Sequence, residues 1–124
     1  MRDNNAVATI AVKDLGVARQ FYEDTLGLEV EGSEEMGVLT CKSGGSKLFV
    51  YESQHAGTNQ ATAATWEVGE DVAEIARAFK AKGVAFEHYD FPDTTREGDV
   101  HVMGDVKAAW FKDPDGNILS IVNG

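Results

Sequence analysis

Slid 56 positions along itself, the chain sets Thr9 against Thr65, Val12 against Val68, Asp14 against Glu70 and Gly27 against Gly83. A repeat of this length is the signature of a duplicated supersecondary unit. Each copy must therefore supply the same elements in the same order, which leaves few folds open.

The first copy opens with the β-rich run Ala8-Thr9-Ile10-Ala11-Val12. Asp14 then stands where a helix N-cap belongs, its carboxylate able to accept backbone N–H groups of the first turn. Leu15, Ala18, Phe21, Tyr22 and Leu26 follow close to helical spacing, which predicts one apolar stripe. Gly27 suits the left-handed residue that ends a helix. In the second copy Val72, Ile75, Ala76 and Phe79 make the equivalent stripe. Each copy then continues into strands, expected over 38–42 and 47–51 in the first and over 107–112 and 118–122 in the second. The second pair is joined by Asp113-Pro114-Asp115-Gly116. Proline fixes φ there, aspartate closes an Asx bond and glycine accepts positive φ, so a tight hairpin is predicted. Ser43-Gly44-Gly45-Ser46 takes the same place in the first copy. The expected class is α+β: two β-α-β-β-β units in a single domain of residues 1–124, with halves over about 6–56 and 62–123.

The segments Asp14-Leu15, Phe21-Tyr22 and Leu26-Gly27-Leu28, the second strand–helix copy and the Phe111-Lys112-Asp113-Pro114-Asp115-Gly116-Asn117-Ile118-Leu119 end resemble the vicinal oxygen chelate superfamily. That group holds glyoxalase I, bleomycin- and fosfomycin-resistance proteins and extradiol dioxygenases. The resemblance runs from about Val7 to Val122. It implies paired βαβββ modules in an open barrel around a central cavity, and chains that form homodimers. Chemistry does not follow from the fold and has to be argued from the site.

Composition narrows the partners. Acidic residues outnumber basic ones 21 to 11, a formal charge of −10, which repels phosphate backbones and anionic membranes. No nucleic-acid or membrane-surface partner is expected. The acids are spread along the chain, so solubility explains them as well as a cationic ligand does. No stretch is apolar enough to span a bilayer and no signal-like segment precedes the first strand. A lone cysteine, Cys41, excludes an internal disulfide and is expected as a small core residue, which fits a cytoplasmic location.

Catalytic members of the resembled family usually hold one divalent ion through His, Glu or Gln side chains on the first and fourth strands of each half. Such an ion polarises substrate oxygens. Counting from the internal anchors places those positions at Val7, Phe49, Ala63 and Ser120. Three of these side chains have no lone pair to offer and the fourth is a neutral hydroxyl, whereas transition metals draw imidazole, carboxylate or thiolate donors. The inherited metal is expected to be absent, and no cofactor is implied. Asp99 with His101, and His88 with Asp90, offer two-ligand pairs on extended backbone. Exposure in a loop is the expected state of both.

Period-two alternation then defines the walls: Val7, Thr9 and Ala11; Phe49 and Tyr51; Ala63, Thr65 and Glu67; Ile118, Ser120 and Val122. These line either a ligand pocket or a plugged core. The segment over about 89–106 has no counterpart in the first half and is expected as a polar loop insert. Lying over the cavity, it would bring Arg96 and His101 to a ligand, with Trp110 to stack on it. The ligand-binding candidates are accordingly Thr9, Phe49, Tyr51, Thr65, Glu67, Arg96, His101, Trp110 and Ser120. Two functions fit. One is a metal-free dimer that sequesters an aromatic or apolar small molecule, resembling the bleomycin-resistance branch. The other is a lyase, isomerase or dioxygenase with a rearranged or metal-free site, where Glu67, Tyr51 or His101 acts as acid or base.

Overall fold

A computed structural model describes all residues 1–124. The first half runs β1 (Ala8–Val12), α1 (Leu15–Gln20), β2 (Glu29–Glu31), β3 (Val38–Ser43) and β4 (Ser46–Glu52). The second runs β5 (Thr62–Glu67), α2 (Val72–Ala81), β6 (Phe86–Glu87), β7 (Thr95–Glu97), β8 (Val100–Met103), β9 (Val106–Lys112) and β10 (Ile118–Val122). The strand order is β1-β4-β3-β2 in one sheet and β5-β10-β9-β8-β7 in the other, with β6 on the same edge of β9 as β8. In both sheets the first strand pairs parallel with the last, as duplication requires. Thr9 lies opposite Phe49 and Thr65 opposite Ser120, so Phe49 and Ser120 are equivalent positions. The edge strands β1 and β5 lie side by side, and the two modules form an open barrel of mixed α+β architecture.

Asp14 caps α1 as the sequence predicts, its Oδ1 accepting from Gly16 N at 2.9 Å and Val17 N at 3.1 Å. Its structural counterpart is Asp71, which makes no side-chain cap, and not Glu70. The second half carries one extra residue between strand and helix. A π-helical turn at Phe21–Thr25 adds one residue to the first helix, so Gly27 and Gly83 return to the same place. Gly27 has φ +76°, a conformation open to glycine at little cost.

Ile10, Val12, Leu39, Cys41, Leu48 and Val50 face α1, while Ala109, Phe111, Leu119 and Ile121 face α2, and together they form one continuous core. Burial pushes the Cys41 thiol up to about 11, in keeping with a packing role. The halves are locked together at the β9–β10 turn. Asp113 is only 5% exposed, and its Oδ1 accepts from the backbone N–H groups of Asp115 and Asn117, each at 2.9 Å. Tyr22 OH and Asn117 Nδ2 both donate to Asp113 Oδ2 at 2.8 Å, and Asn117 Nδ2 also donates to the Ala11 carbonyl. Burial, and then the Asp113 carboxylate, push the Tyr22 hydroxyl far above the usual phenol range.

Residues 89–106 differ from the loop expected of them. They carry the β7–β8 hairpin, and β8 extends the sheet by pairing with β9. Alternating Val100 and Val102 give that strand an inward face, which offsets its polar flanks.

Candidate functional site

The sheet faces turned away from the helices form an open trough. From the first half come Val7 just ahead of β1, Thr9 and Ala11 on β1, and Phe49 and Tyr51 on β4. Thr9 is exposed and Tyr51 is 39% exposed, so this half neither plugs the trough nor closes it. Its outer strands are charged on the same face. Lys42 Nζ meets Glu31 Oε1 at 2.8 Å, a bond that raises the Lys42 pKa. Lys47 Nζ lies 5.5 Å from the centre of the Phe49 ring.

The second half lines its share with Thr65 and Glu67 on β5, Ser120 on β10, Trp110 on β9 and His101 on β8, whereas Ala63 falls at an irregularity of the β5–β10 register and packs against the core instead of continuing the expected alternation. Ser120 is buried, and its hydroxyl lies 2.7 Å from that of Thr65, so the two satisfy one another. Trp110 is held by its Nε1–H, which donates to Thr62 Oγ1 at 3.2 Å. Between β6 and β7 the chain doubles back over this face and lays Tyr89 and Phe91 on Trp110, at ring-centre distances of 5.4 and 5.6 Å. His101 sits beneath them, 4.9 Å from Trp110 and nearly perpendicular to it.

His101 is where the structure departs most from the sequence expectation. It is not a solvent-facing loop residue but fully buried. Its Nε2 accepts the backbone N–H of Tyr89 at 2.9 Å, which leaves the proton of the neutral ring on Nδ1. Nδ1 has no hydrogen-bond partner. A buried donor without an acceptor carries a desolvation cost that an acceptor atom brought to it would relieve. Nor do Asp99 and His101 pair. Asp99 Oδ1 instead takes His88 Nε2 at 2.8 Å, with Lys80 at 3.5 Å. The hydrogen bond from His88 holds the Asp99 carboxyl below its ordinary range. Asp90 has no part in that pair.

Among the sequence candidates, Trp110 and His101 come together, and Thr65 and Ser120 come together. Arg96 lies opposite His101 on the edge strand β7, exposed. Thr9, Phe49 and Tyr51 stand across the trough on the other sheet, and Glu67 is exposed at the end of β5. Tyr89 and Phe91 are site residues that the sequence reading did not select. The aromatic spacing Tyr89, Phe91 beside His88 was their signal.

The four positions where the fold would hold an ion can be tested on their chemistry. Val7, Phe49 and Ala63 have no donor atom, and the Ser120 hydroxyl is engaged with Thr65. No group of three or more His, Cys, Asp or Glu side chains comes together anywhere in the chain. This donor set does not fit a divalent transition metal, which takes three or more protein ligands.

Comparison with known proteins is consistent with this architecture. The sequence profile of the Glyoxalase/Bleomycin resistance protein/Dioxygenase superfamily matches residues 5–121. No curated protein sequence matches the chain. Among solved structures it is similar to a mutant of the fosfomycin resistance protein FosX from Listeria monocytogenes, complexed with Mn(II) and 1S,2S-dihydroxypropylphosphonic acid. The identity is 20%, the TM-score 0.73, and the match covers 100% of this chain and 92% of that one. Lactoylglutathione lyase from Agrobacterium tumefaciens aligns at 20% identity and TM-score 0.68, over 96% of this chain and 93% of that one. An integron cassette protein from the metagenome of a Halifax Harbour sewage outfall aligns at 17% identity and TM-score 0.71, over 96% and 98%. At these identities the likeness establishes the fold alone. No helix is long and apolar enough to cross a membrane.

Proposed function

The chain belongs to the glyoxalase/bleomycin resistance protein/dioxygenase superfamily, and from that premise we propose that it is a metal-free, dimeric binding protein. It holds a small aromatic or apolar molecule against the open face of its second half. The observation that carries this reading is the His101 site. Three aromatic rings and a buried imidazole with an unpartnered Nδ1–H occupy the face on which Ser120, the one ion-binding position with a donor atom, is engaged with Thr65. Stacking on Trp110 and Phe91 supplies the attraction, and an acceptor atom of the ligand, reaching Nδ1 as the Tyr89–Phe91 segment shifts, supplies the orientation.

The acid–base groups a catalytic version needs are dispersed. Tyr51 and Glu67 are exposed on different sheets, and His101 is covered by rings. Association of two chains belongs to the reading because Tyr51 and Phe91 stay 39% and 42% exposed in one chain, and a partner over the trough would cover them.

Elemental analysis with a thermal-shift screen tests it. We expect no stoichiometric divalent metal, no gain on adding divalent ions, and a rise in Tm with quinoline, whose ring nitrogen is an acceptor. A ligand at a hundredfold excess over its Kd adds about 2.7 kcal/mol. The rise should vanish in Trp110→Ala. One equivalent of bound metal, with stabilisation by ions instead of quinoline, would overturn the reading in favour of catalysis.

A further inference from the structure

On the opposite side of the sheets, between the halves, lies a cavity of about 200 Å³. Leu26, Leu28 and Ser43 line it from the first half, and Trp66, Val68, Ile75, Phe79, Phe111 and Ile121 from the second. Its origin can be traced by comparing it with the place related to it by the repeat. Helix and strand register make Phe79 the equivalent of Tyr22, Ile75 of Ala18, Trp66 of Ile10 and Val68 of Val12. Tyr22, Ala18, Ile10 and Val12 are all at most 1% exposed, while their second-half partners are only half-buried.

Two differences explain this. In the filled place, the five-residue turn 113–117 folds over the core, and Tyr22 reaches its Asp113 carboxylate. In the other, the turn between Ser43 and Ser46 is only Gly44-Gly45, and Phe79 has no hydroxyl to extend. The short turn leaves uncovered what the long one seals. A single hydrogen bond crosses the gap, from Trp66 Nε1–H to Ser43 Oγ at 2.8 Å.

We propose that this cavity is a second ligand site, taking one neutral molecule the size of a single aromatic ring with a short alkyl group. The lining fixes that chemistry. Eight of its nine residues are hydrophobic and none is charged, so an ion entering it would lose its hydration without recompense. An enclosed apolar cavity of roughly 150 Å³ accepts benzene, and this one is somewhat larger and open on the side the short turn leaves uncovered, so a ligand can enter it directly. The site is separate from the open face, since Phe111 and Ile121 point to the helix side of the strands that present Trp110 and Ser120 to the trough.

Toluene is the probe, followed by the side-chain methyl signals of the full-length protein in NMR. We expect saturable shifts of Leu26, Leu28, Val68, Ile75 and Ile121, retained in Trp110→Ala, which removes the open-face site alone. Ile75→Trp and Val68→Phe each fill the cavity, and either variant, once shown to be folded by its spectrum, should lose the toluene shifts. Absence of shifts up to the solubility limit of toluene would overturn the proposal. So would shifts that persist in both filled variants, or signals that move with protein concentration alone, which would make the cavity a contact between copies of the chain.

Discussion

The two hairpin turns of this molecule occupy equivalent places and behave in opposite ways. At 113–117, a carboxylate of 5% exposure gathers two backbone N–H groups, a tyrosine hydroxyl and an asparagine amide, and binds the second half to the first. At 43–46, two glycines turn the chain, one indole N–H crosses to a serine hydroxyl, and a cavity remains. The trough shows the same contrast. Its first half carries Glu31, Lys42 and Lys47 beside Phe49, and its second a cluster of rings around a buried histidine. Duplication supplied two similar frames, and differences in their turns and in a few side chains on the trough face left one side filled and the other open.

The contrast can be broken at its strongest point. Asp113→Ala leaves Tyr22 OH and Asn117 without their acceptor in a buried site, and we expect a loss of about 3–5 kcal/mol in urea denaturation. The matching change on the other side, Ser43→Ala, removes one part-buried bond and is expected to cost about 1 kcal/mol. Equal losses would mean that the turns do not differ as described.

Tyr22→Phe keeps the ring and removes the hydroxyl, for an expected loss of about 1–2 kcal/mol. It also sharpens the pH dependence. The Tyr22 hydroxyl titrates higher in the folded chain than in the unfolded one, so its contribution is complete below the unfolded value of about 10 and declines as pH rises beyond it. The gap in urea midpoint between wild type and Tyr22→Phe should therefore narrow from pH 9 to pH 11.

The smallest effect is expected at the edge of the second half. His88→Ala removes the main cause of the lowered Asp99 pKa, and the carboxyl should move up toward its ordinary 3.8 in an NMR titration. Because that pKa is depressed by folding, the stability it confers is present above about pH 4 and is lost as pH falls through the folded value. An Asp99 titration unchanged by the substitution would assign the shift to Lys80.

Much of the frame was legible from residues alone. The repeat, the Asp14 cap, the Gly27 stop and the 113–117 hairpin follow from local chemistry, as does the alternation that puts Thr65 and Ser120 on one face. What escaped depends on distant partners. Tyr22 reads as one more apolar position until it meets Asp113, 91 residues away. The π turn appears only once the two helices are superposed. His101 looked like a loop residue because Asp99 and Gly98 precede it, yet Val100-His101-Val102-Met103 before Gly104-Asp105 carries the alternation and turn of a strand. The cavity is invisible in sequence because it follows from the lengths of two turns compared in space.

In the function proposed above, the second half captures an organic molecule without an ion. Trp66→Phe leaves Trp110 as the sole indole of the chain, so its fluorescence reports the open face alone. Titrated with quinoline, this variant should show saturable quenching of the same midpoint with and without EDTA. Quenching that vanishes in EDTA and returns with one equivalent of a divalent ion would show that the ligand is held through a metal.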